Sequence, residues 1–119
     1  MTDNKSIVEI YWQKINKKHW DELPDFFTFD ARIVWPNTAE DFEVSRFLEV
    51  NRNYPGDWTI TPEKIISSFE TVISVVLVSD GKSSFHAISF FYFVAGKIAG
   101  LEEYWSEDSD PPIWRRFIN

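Results

Sequence analysis

The chain contains 119 residues, carries a formal net charge of −7 and has no cysteine. This length fits a single domain, 1–119, whose core needs no covalent staple. An acidic balance without a long basic cluster argues against nucleic acid and anionic membranes as partners. Because disulfides and thiolate sites are excluded, a cytoplasmic location is expected. The longest apolar run is also too short to cross a membrane.

The N-terminal segment predicts an amphipathic helix. Ser6 and Glu9 have the spacing of a capping box, in which each side chain bonds the backbone at the helix start. The apolar residues that follow repeat at helical spacing and form one stripe that includes Tyr11. Two interpretations of Tyr11 remain open. It is either an ordinary core residue of the helix, or its hydroxyl reaches into a pocket.

The next segment predicts two more helices separated by a short strand. Residues 20–27 read as a short helix with a proline in its first turn, and residues 32–35 as a strand. Asn37 or Thr38 can cap the third helix, because their side chains bond free backbone N–H groups. The apolar face of that helix ends near Asn51.

From residue 58 onward the pattern is that of strands. Residues 58–68 and Thr71–Ser79 are the first two, and two long strands joined by a tight turn follow in the stretch 84–116, before an acidic loop. Short turns separate these strands, so they predict a four-stranded antiparallel meander. Three N-terminal helices followed by this sheet predict an α+β fold.

Four local motifs carry a resemblance to a known family. Their order in the chain resembles the nuclear transport factor 2-like superfamily, within its SnoaL-like branch. The resemblance implies a cone-shaped fold, in which a curved antiparallel sheet wraps the helices and encloses a cavity. It also implies a range of functions, since members include ketosteroid isomerases, polyketide cyclases, epoxide hydrolases and non-catalytic binding proteins. The motifs are WPNT at 35–38, NRNYPGDW at 51–58, HAISFF at 86–91 and EEYW with PPIWRR within 102–116.

The family's catalytic residues are only partly present. Cyclases and epoxide hydrolases of this family place a carboxylate seven residues after the last turn glycine, and Gly96 plus seven is Glu103. The resemblance puts Ser89 where the cyclases have a histidine, and Trp35 beside the proline where the isomerases have their base. Thr71–Ser79 contains no charge, whereas the epoxide hydrolases carry Arg and Asp there. One element of a catalytic set is therefore present and none of the sets is complete.

The last two strands determine which side chains face the cavity. A three-residue loop, 94–96, needs a positive φ only at glycine, which favours it over a two-residue turn. In the resulting register Glu103 faces the cavity and His86 lies on the opposite face. The predicted cavity face consists of Phe85, Ala87, Ser89, Phe91, Leu101, Glu103 and Trp105.

The opposite face of the sheet is also rich in apolar side chains. An antiparallel sheet with one solvated face should alternate apolar and polar residues, and these strands do not. The pattern favours a homodimer through this face, with Phe90 or Tyr92 in the interface. The alternative is a monomer whose C-terminal segment covers the face. In either case Trp114 is expected to pack against the body of the domain.

Three functions are consistent with the sequence. The favoured one is the binding of a small, largely apolar molecule in an aromatic-lined cavity, without cofactor or metal. The alternatives are an enzyme that uses Glu103 as general acid or base, and a structural dimer with a vestigial cavity. The residues assigned to the site are Trp35, Phe91 and Trp105 as walls, with Glu103, Asn51, Tyr54, Tyr11 and Ser89 as polar groups.

Overall fold

A computed structural model describes residues 3–118 of the chain. Its helical segments pack on a curved, unclosed sheet of six strands, which confirms the α+β prediction. The α-helices within residues 3–118 are α1 (Asn4–Asn16) and α2 (Val44–Arg52). The strands are β1 (Phe27–Trp35), β2 (Glu40–Glu43), β3 (Thr59–Ser68), β4 (Thr71–Ser79), β5 (Ser84–Val94) and β6 (Lys97–Glu107).

The strands lie in the order β2-β1-β6-β5-β4-β3. The antiparallel meander from β3 to β6 is therefore present as predicted. The sheet as a whole is mixed, because β1 runs parallel to β6 and antiparallel to β2. The prediction missed this, since the connection from β1 to β6 spans most of the chain and leaves no local sequence signal.

Helix α1 packs its apolar stripe against β3 and β4. The cap at its start differs from the prediction, because Asp3 rather than Ser6 is the N-cap residue. The Asp3 carboxylate accepts a hydrogen bond from the Ser6 backbone N–H at 2.8 Å. A capping carboxylate satisfies a backbone donor that has no partner within the helix. The buried stripe consists of Val8, Tyr11, Trp12 and Ile15.

The second predicted helix is replaced by two short 3₁₀ turns, Trp20–Glu22 and Pro24–Phe26. Proline has no N–H, so a continuous helical hydrogen-bond ladder cannot pass through Pro24. Leu23, between the two turns, is fully buried. The segment therefore anchors the chain in the core without forming a helix, and β1 begins earlier than predicted.

The third predicted helix starts later than its expected caps. Pro36–Thr38 forms a 3₁₀ turn, Ala39 takes a left-handed conformation with a φ of 55°, and the chain turns back as β2. This edge strand pairs with the end of β1, and Arg32 on β1 bonds Asp41 on β2 at 2.8 Å. The predicted caps therefore lie in a turn between strands, and α2 begins at residue 44.

The β5–β6 hairpin differs from the prediction in its turn and agrees with it in its faces. Val94 pairs with Lys97, so the turn has two residues, with Ala95 at a φ of 51° and Gly96 at 80°. A bulge at Ala99 then shifts the register by one residue. Without the bulge, this two-residue turn would place the cavity-facing side chains of β6 on the opposite face of the sheet. The turn and the bulge together preserve the predicted faces.

The C-terminal segment does not pack as expected. Trp114 lies in a short 3₁₀ turn and is 71% exposed, so it is not docked on the body of the domain. The guanidinium of Arg115 lies 5.5 Å from the centroid of the Trp114 ring, and this contact is local to the segment. The other large apolar residues of the segment are also exposed, namely Ile113, Phe117 and Ile118.

Candidate functional site

Glu103 is a buried acid on the helix-facing side of β6. It pairs across the strands with Ser89 and is only 5% exposed. One carboxylate oxygen, Oε1, accepts a hydrogen bond from Trp35 Nε1 at 2.9 Å. The other, Oε2, accepts one from Ser89 Oγ at 2.7 Å. Both oxygens thus have a neutral donor, as a buried polar group requires.

The charge of Glu103 has no cationic counterpart in the described part of the chain. Burial raises the pKa of the Glu103 carboxyl, while the hydrogen bonds from Ser89 and Trp35 oppose that rise. Three arginines that lie on β1 and α2 pair with other acids instead. A buried carboxyl whose pKa is raised is the kind of group that general acid–base chemistry uses. These arginines are Arg32, Arg46 and Arg52.

Tyr11 lies in the core close to this acid. Its hydroxyl is buried and has no hydrogen-bond partner among residues 3–118. Burial raises the pKa of Tyr11 well above its usual value, and the negative charge of Glu103 adds to that rise. The ring packs edge-on against Trp12 and Phe91, with centroid distances of 5.0 and 5.3 Å. The phenol therefore stays protonated and keeps an unused donor near Glu103.

Glu103 also contributes to the wall of a cavity of about 180 Å³. Four rings, which we call the aromatic wall, follow one another along one side of this cavity. Neighbouring rings have centroid distances of 5.9, 5.4 and 5.1 Å, which is the usual range for aromatic pairs. The aromatic wall consists of Tyr54, Trp58, Phe85 and Trp105, in that order.

The predicted site residues divide into two groups. Glu103, Asn51, Tyr54 and Trp105 line the cavity. The amide nitrogen of Asn51 donates to a backbone carbonyl within α2, so part of its polar capacity is already used. The remaining residues support the site from behind. Tyr11, Ser89 and Phe91 are fully buried, and Trp35 lines a neighbouring groove.

The WPNT motif has a structural explanation in this arrangement. The Trp35 ring packs edge-on against Trp105 with a centroid distance of 4.8 Å. The side-chain oxygen of Asn37 accepts a hydrogen bond from the backbone N–H of Trp105 at 3.0 Å. The motif therefore fixes both the last residue of the aromatic wall and, through the Trp35 indole, the carboxylate of Glu103.

Several cavity residues were not assigned by sequence reasoning. Trp58 is the clearest example, since it lines the cavity. Its indole Nε1 donates a hydrogen bond to the Pro55 carbonyl at 2.8 Å, and the ring folds back over Gly56. The NRNYPGDW motif contains the turn that produces this geometry. Lys18 and Arg52 are the charged residues that were missed. Their exposed positions at helix ends give no signal of a cavity in the sequence.

His86 lies outside the cavity lining. Its Nδ1 is 2.6 Å from Asp108 Oδ1, and its Nε2 is 3.0 Å from Glu63 Oε1. The hydrogen bond to Asp108 raises the pKa of His86, and the negative charges of both acids contribute. These contacts join β3, β5 and the end of β6 at the surface. His86 is therefore not available to act with Glu103.

Comparison with solved structures identifies the fold. A candidate ketosteroid isomerase from Kribbella flavida superposes with a TM-score of 0.86 and is 23% identical, covering 98% of this chain and 87% of that one. An NTF-2 like protein of unknown function from Burkholderia xenovorans superposes with a TM-score of 0.83 and is 18% identical, covering 98% and 93%. This chain has the nuclear transport factor 2-like fold. The predicted resemblance is confirmed at this level.

The nuclear transport factor 2-like fold occurs in enzymes as well. The epoxide hydrolase/cyclase-like enzyme SalBIII, of pyran ring formation in salinomycin, has a TM-score of 0.70 and 19% identity, covering 87% of this chain and 90% of that one. Identities in this range establish a shared fold, and function must be argued from the site. No protein-family model and no curated protein matches the sequence. No helix among residues 3–118 is long and apolar enough to cross a membrane.

Proposed function

We propose that this chain binds a small, largely apolar molecule in the cavity beside Glu103. The observation that carries the proposal is the aromatic wall, which presents rings to a space of about 180 Å³. An apolar cavity of about 150 Å³ is large enough to hold benzene. The cavity therefore suits a ligand with a single ring. Ligands with several fused rings would require the wall to move.

The binding proposal is tested by calorimetric titration with benzyl alcohol, a neutral single-ring probe. Benzyl alcohol has about eight heavy atoms, and a gain of about 0.5 kcal/mol per atom gives a Kd on the order of 1 mM. Trp58→Leu should weaken this binding, because it removes a ring of the aromatic wall. Trp114→Leu is the matched control, since Trp114 is exposed in the C-terminal segment. Absence of binding up to the solubility limit would contradict the proposal.

A second candidate function is general acid or base catalysis by Glu103. The specific observation in its favour is that a buried carboxyl, without a cationic partner in the described residues, borders the cavity. Burial raises its pKa toward the range in which a carboxyl exchanges protons at neutral pH. The similarity to SalBIII agrees with an enzymatic role without establishing one.

A generic proton-transfer assay tests this candidate. Phenylacetone in D₂O exchanges its α-hydrogens slowly, and a positioned base should accelerate that exchange by about 10²-fold or more. Glu103→Gln should remove the acceleration while leaving benzyl alcohol binding in place. Equal exchange rates for the wild-type protein and the variant would exclude Glu103 as the base, and binding would remain the better proposal.

We further propose that the chain forms a homodimer through the outer face of the sheet. Tyr92 is 41% exposed and Ile88 is 40% exposed on this face, and Phe90 lies between them on the same strand. Light scattering should report twice the chain mass at micromolar concentration, and Phe90→Asp should return the protein to a monomer. A monomeric wild-type protein would rule this assembly out. A dimer that binds no probe would support the structural alternative.

A further inference from the structure

Two positive side chains border the cavity on the side of the helix ends. Lys18 follows the end of α1 in a left-handed conformation, with a φ of 61°, and Arg52 is the last residue of α2. Both belong to the lining that includes Glu103 and all four rings of the aromatic wall. A cavity that is otherwise mostly apolar thus has two cations on its rim. Charged groups in this setting select ligands by their charge.

The ion pairs that these two cations form within the chain are weak. Lys18 Nζ lies 3.4 Å from Asp57 Oδ1, and Arg52 Nη2 lies 3.8 Å from Asp21 Oδ1. Both aspartates are fully exposed, and ion pairs of this kind contribute about 0 to 1 kcal/mol. The cost of exchanging Asp57 or Asp21 for a ligand anion is therefore small.

A cationic ligand is the main competing possibility. Aromatic rings attract ammonium groups, and Glu103 could supply the opposite charge. However, both oxygens of Glu103 already accept hydrogen bonds from Trp35 and Ser89, and burial disfavours its ionised form. A ligand cation would also approach Lys18 and Arg52, which would repel it. The charges on the lining therefore favour an anion.

We propose that the ligand is a single-ring aromatic carboxylate. This inference rests on the proposed binding function and adds the ligand's charge. The ligand ring lies against the part of the aromatic wall that runs from Trp58 to Trp105, and the ligand carboxylate points to the rim. There it accepts hydrogen bonds from the Lys18 ammonium and the Arg52 guanidinium, whose planar fork matches a carboxylate.

The test compares three probes that share a ring and differ in charge, namely phenylacetate, phenylacetamide and benzylammonium. We expect phenylacetate to bind at least about tenfold more tightly than either of the others, with a smaller advantage at high salt. Arg52→Gln and Lys18→Gln should each weaken phenylacetate by a larger factor than phenylacetamide. Arg46→Gln is the matched control, because Arg46 is on the same helix, bonds Glu49 and does not line the cavity.

Each outcome of this experiment has a distinct meaning. Equal affinities for phenylacetate and phenylacetamide would overturn the anion inference and leave apolar binding intact. Tightest binding of benzylammonium would overturn it in favour of a cationic ligand. If neither these probes nor benzyl alcohol binds, the proposed function itself is overturned. Because Lys18 and Arg52 are more than half exposed, their replacement should not unfold the protein.

Discussion

Replacement of Glu103 by glutamine measures how the charge of the buried acid changes the free energy of unfolding. The substitution keeps the side-chain shape and both hydrogen-bonding positions. The glutamine oxygen can accept from Trp35 Nε1, and its amide can donate to Ser89 Oγ, because a hydroxyl both donates and accepts. What changes is the charge. The variant therefore separates the cost of burying a carboxylate from the benefit of its hydrogen bonds.

The expected effect at pH 7 is a gain in stability. An amide makes weaker hydrogen bonds than a carboxylate, and this costs the variant about 1 kcal/mol for each of the two bonds. Burying an ion without an opposite charge costs the wild-type protein several kcal/mol. Glu103→Gln should therefore raise the free energy of unfolding by about 1 to 3 kcal/mol at pH 7. A cationic partner would reverse the sign, because the variant would then leave that cation buried and unpaired.

The effect should depend on pH in one direction. Burial raises the pKa of Glu103 above its ordinary value of 4.5, so below that pH the carboxyl is protonated in both states. As the pH rises above 4.5, the carboxyl ionises first in the unfolded chain, which favours unfolding. The wild-type protein therefore loses stability until the pH passes the folded-state pKa. Glutamine does not titrate, so the advantage of the variant should grow over that interval and then stay constant.

Urea denaturation from pH 4 to pH 8, followed by circular dichroism, provides the measurement. Glu107→Gln is the matched control, because Glu107 lies on the same strand and is exposed. It should change the free energy of unfolding by less than about 0.5 kcal/mol. The reasoning fails if Glu103→Gln is less stable at pH 7, or if its advantage is the same at every pH.

Three further predictions concern stability and the shape of the site. Ala95→Asn should stabilise the protein by about 0.5 to 1 kcal/mol in urea denaturation, because asparagine tolerates the left-handed conformation that alanine resists; no change would mean that the turn is unstrained. Gly56→Ala should weaken benzyl alcohol binding, since an added Cβ would lie 2.5 Å from Trp58 Nε1 at a φ of 108°; unchanged affinity would exclude Trp58 from the site. Truncation after Asp110 should shift the free energy of unfolding of the monomer by less than about 0.5 kcal/mol, because Trp114 is exposed; a larger loss would show that the segment packs.

The fold was predictable where local sequence patterns specify structure. Strand Thr71–Ser79 was predicted at its observed bounds, because apolar residues between turn signals are a strong strand pattern. The β1–β6 pairing was not predictable, since it joins residues far apart in sequence. The edge strand β2 was also missed. Its four residues include three acids, and only the pairing with β1 makes them a strand.

The site was predictable to the extent that strand alternation decides it. Glu103 was located from its position between Leu101 and Trp105, and the observed burial agrees with that position. The donors of its two hydrogen bonds, the lining role of Trp58 and the two rim cations depend on tertiary geometry. No periodic pattern in a sequence contains such information, because each contact joins residues from different elements.

The bulge at Ala99 determines how the β5–β6 hairpin tolerates changes in its length. A deletion of Ala99 would remove the bulge and leave Leu101 paired with Phe91, so the acid would still face the cavity. A deletion of Glu102, only three positions later, would instead turn Glu103 to the outer face of the sheet. Two single-residue deletions in one strand thus have opposite consequences. Natural length variation that keeps the acid in the cavity should therefore occur on the turn side of Leu101.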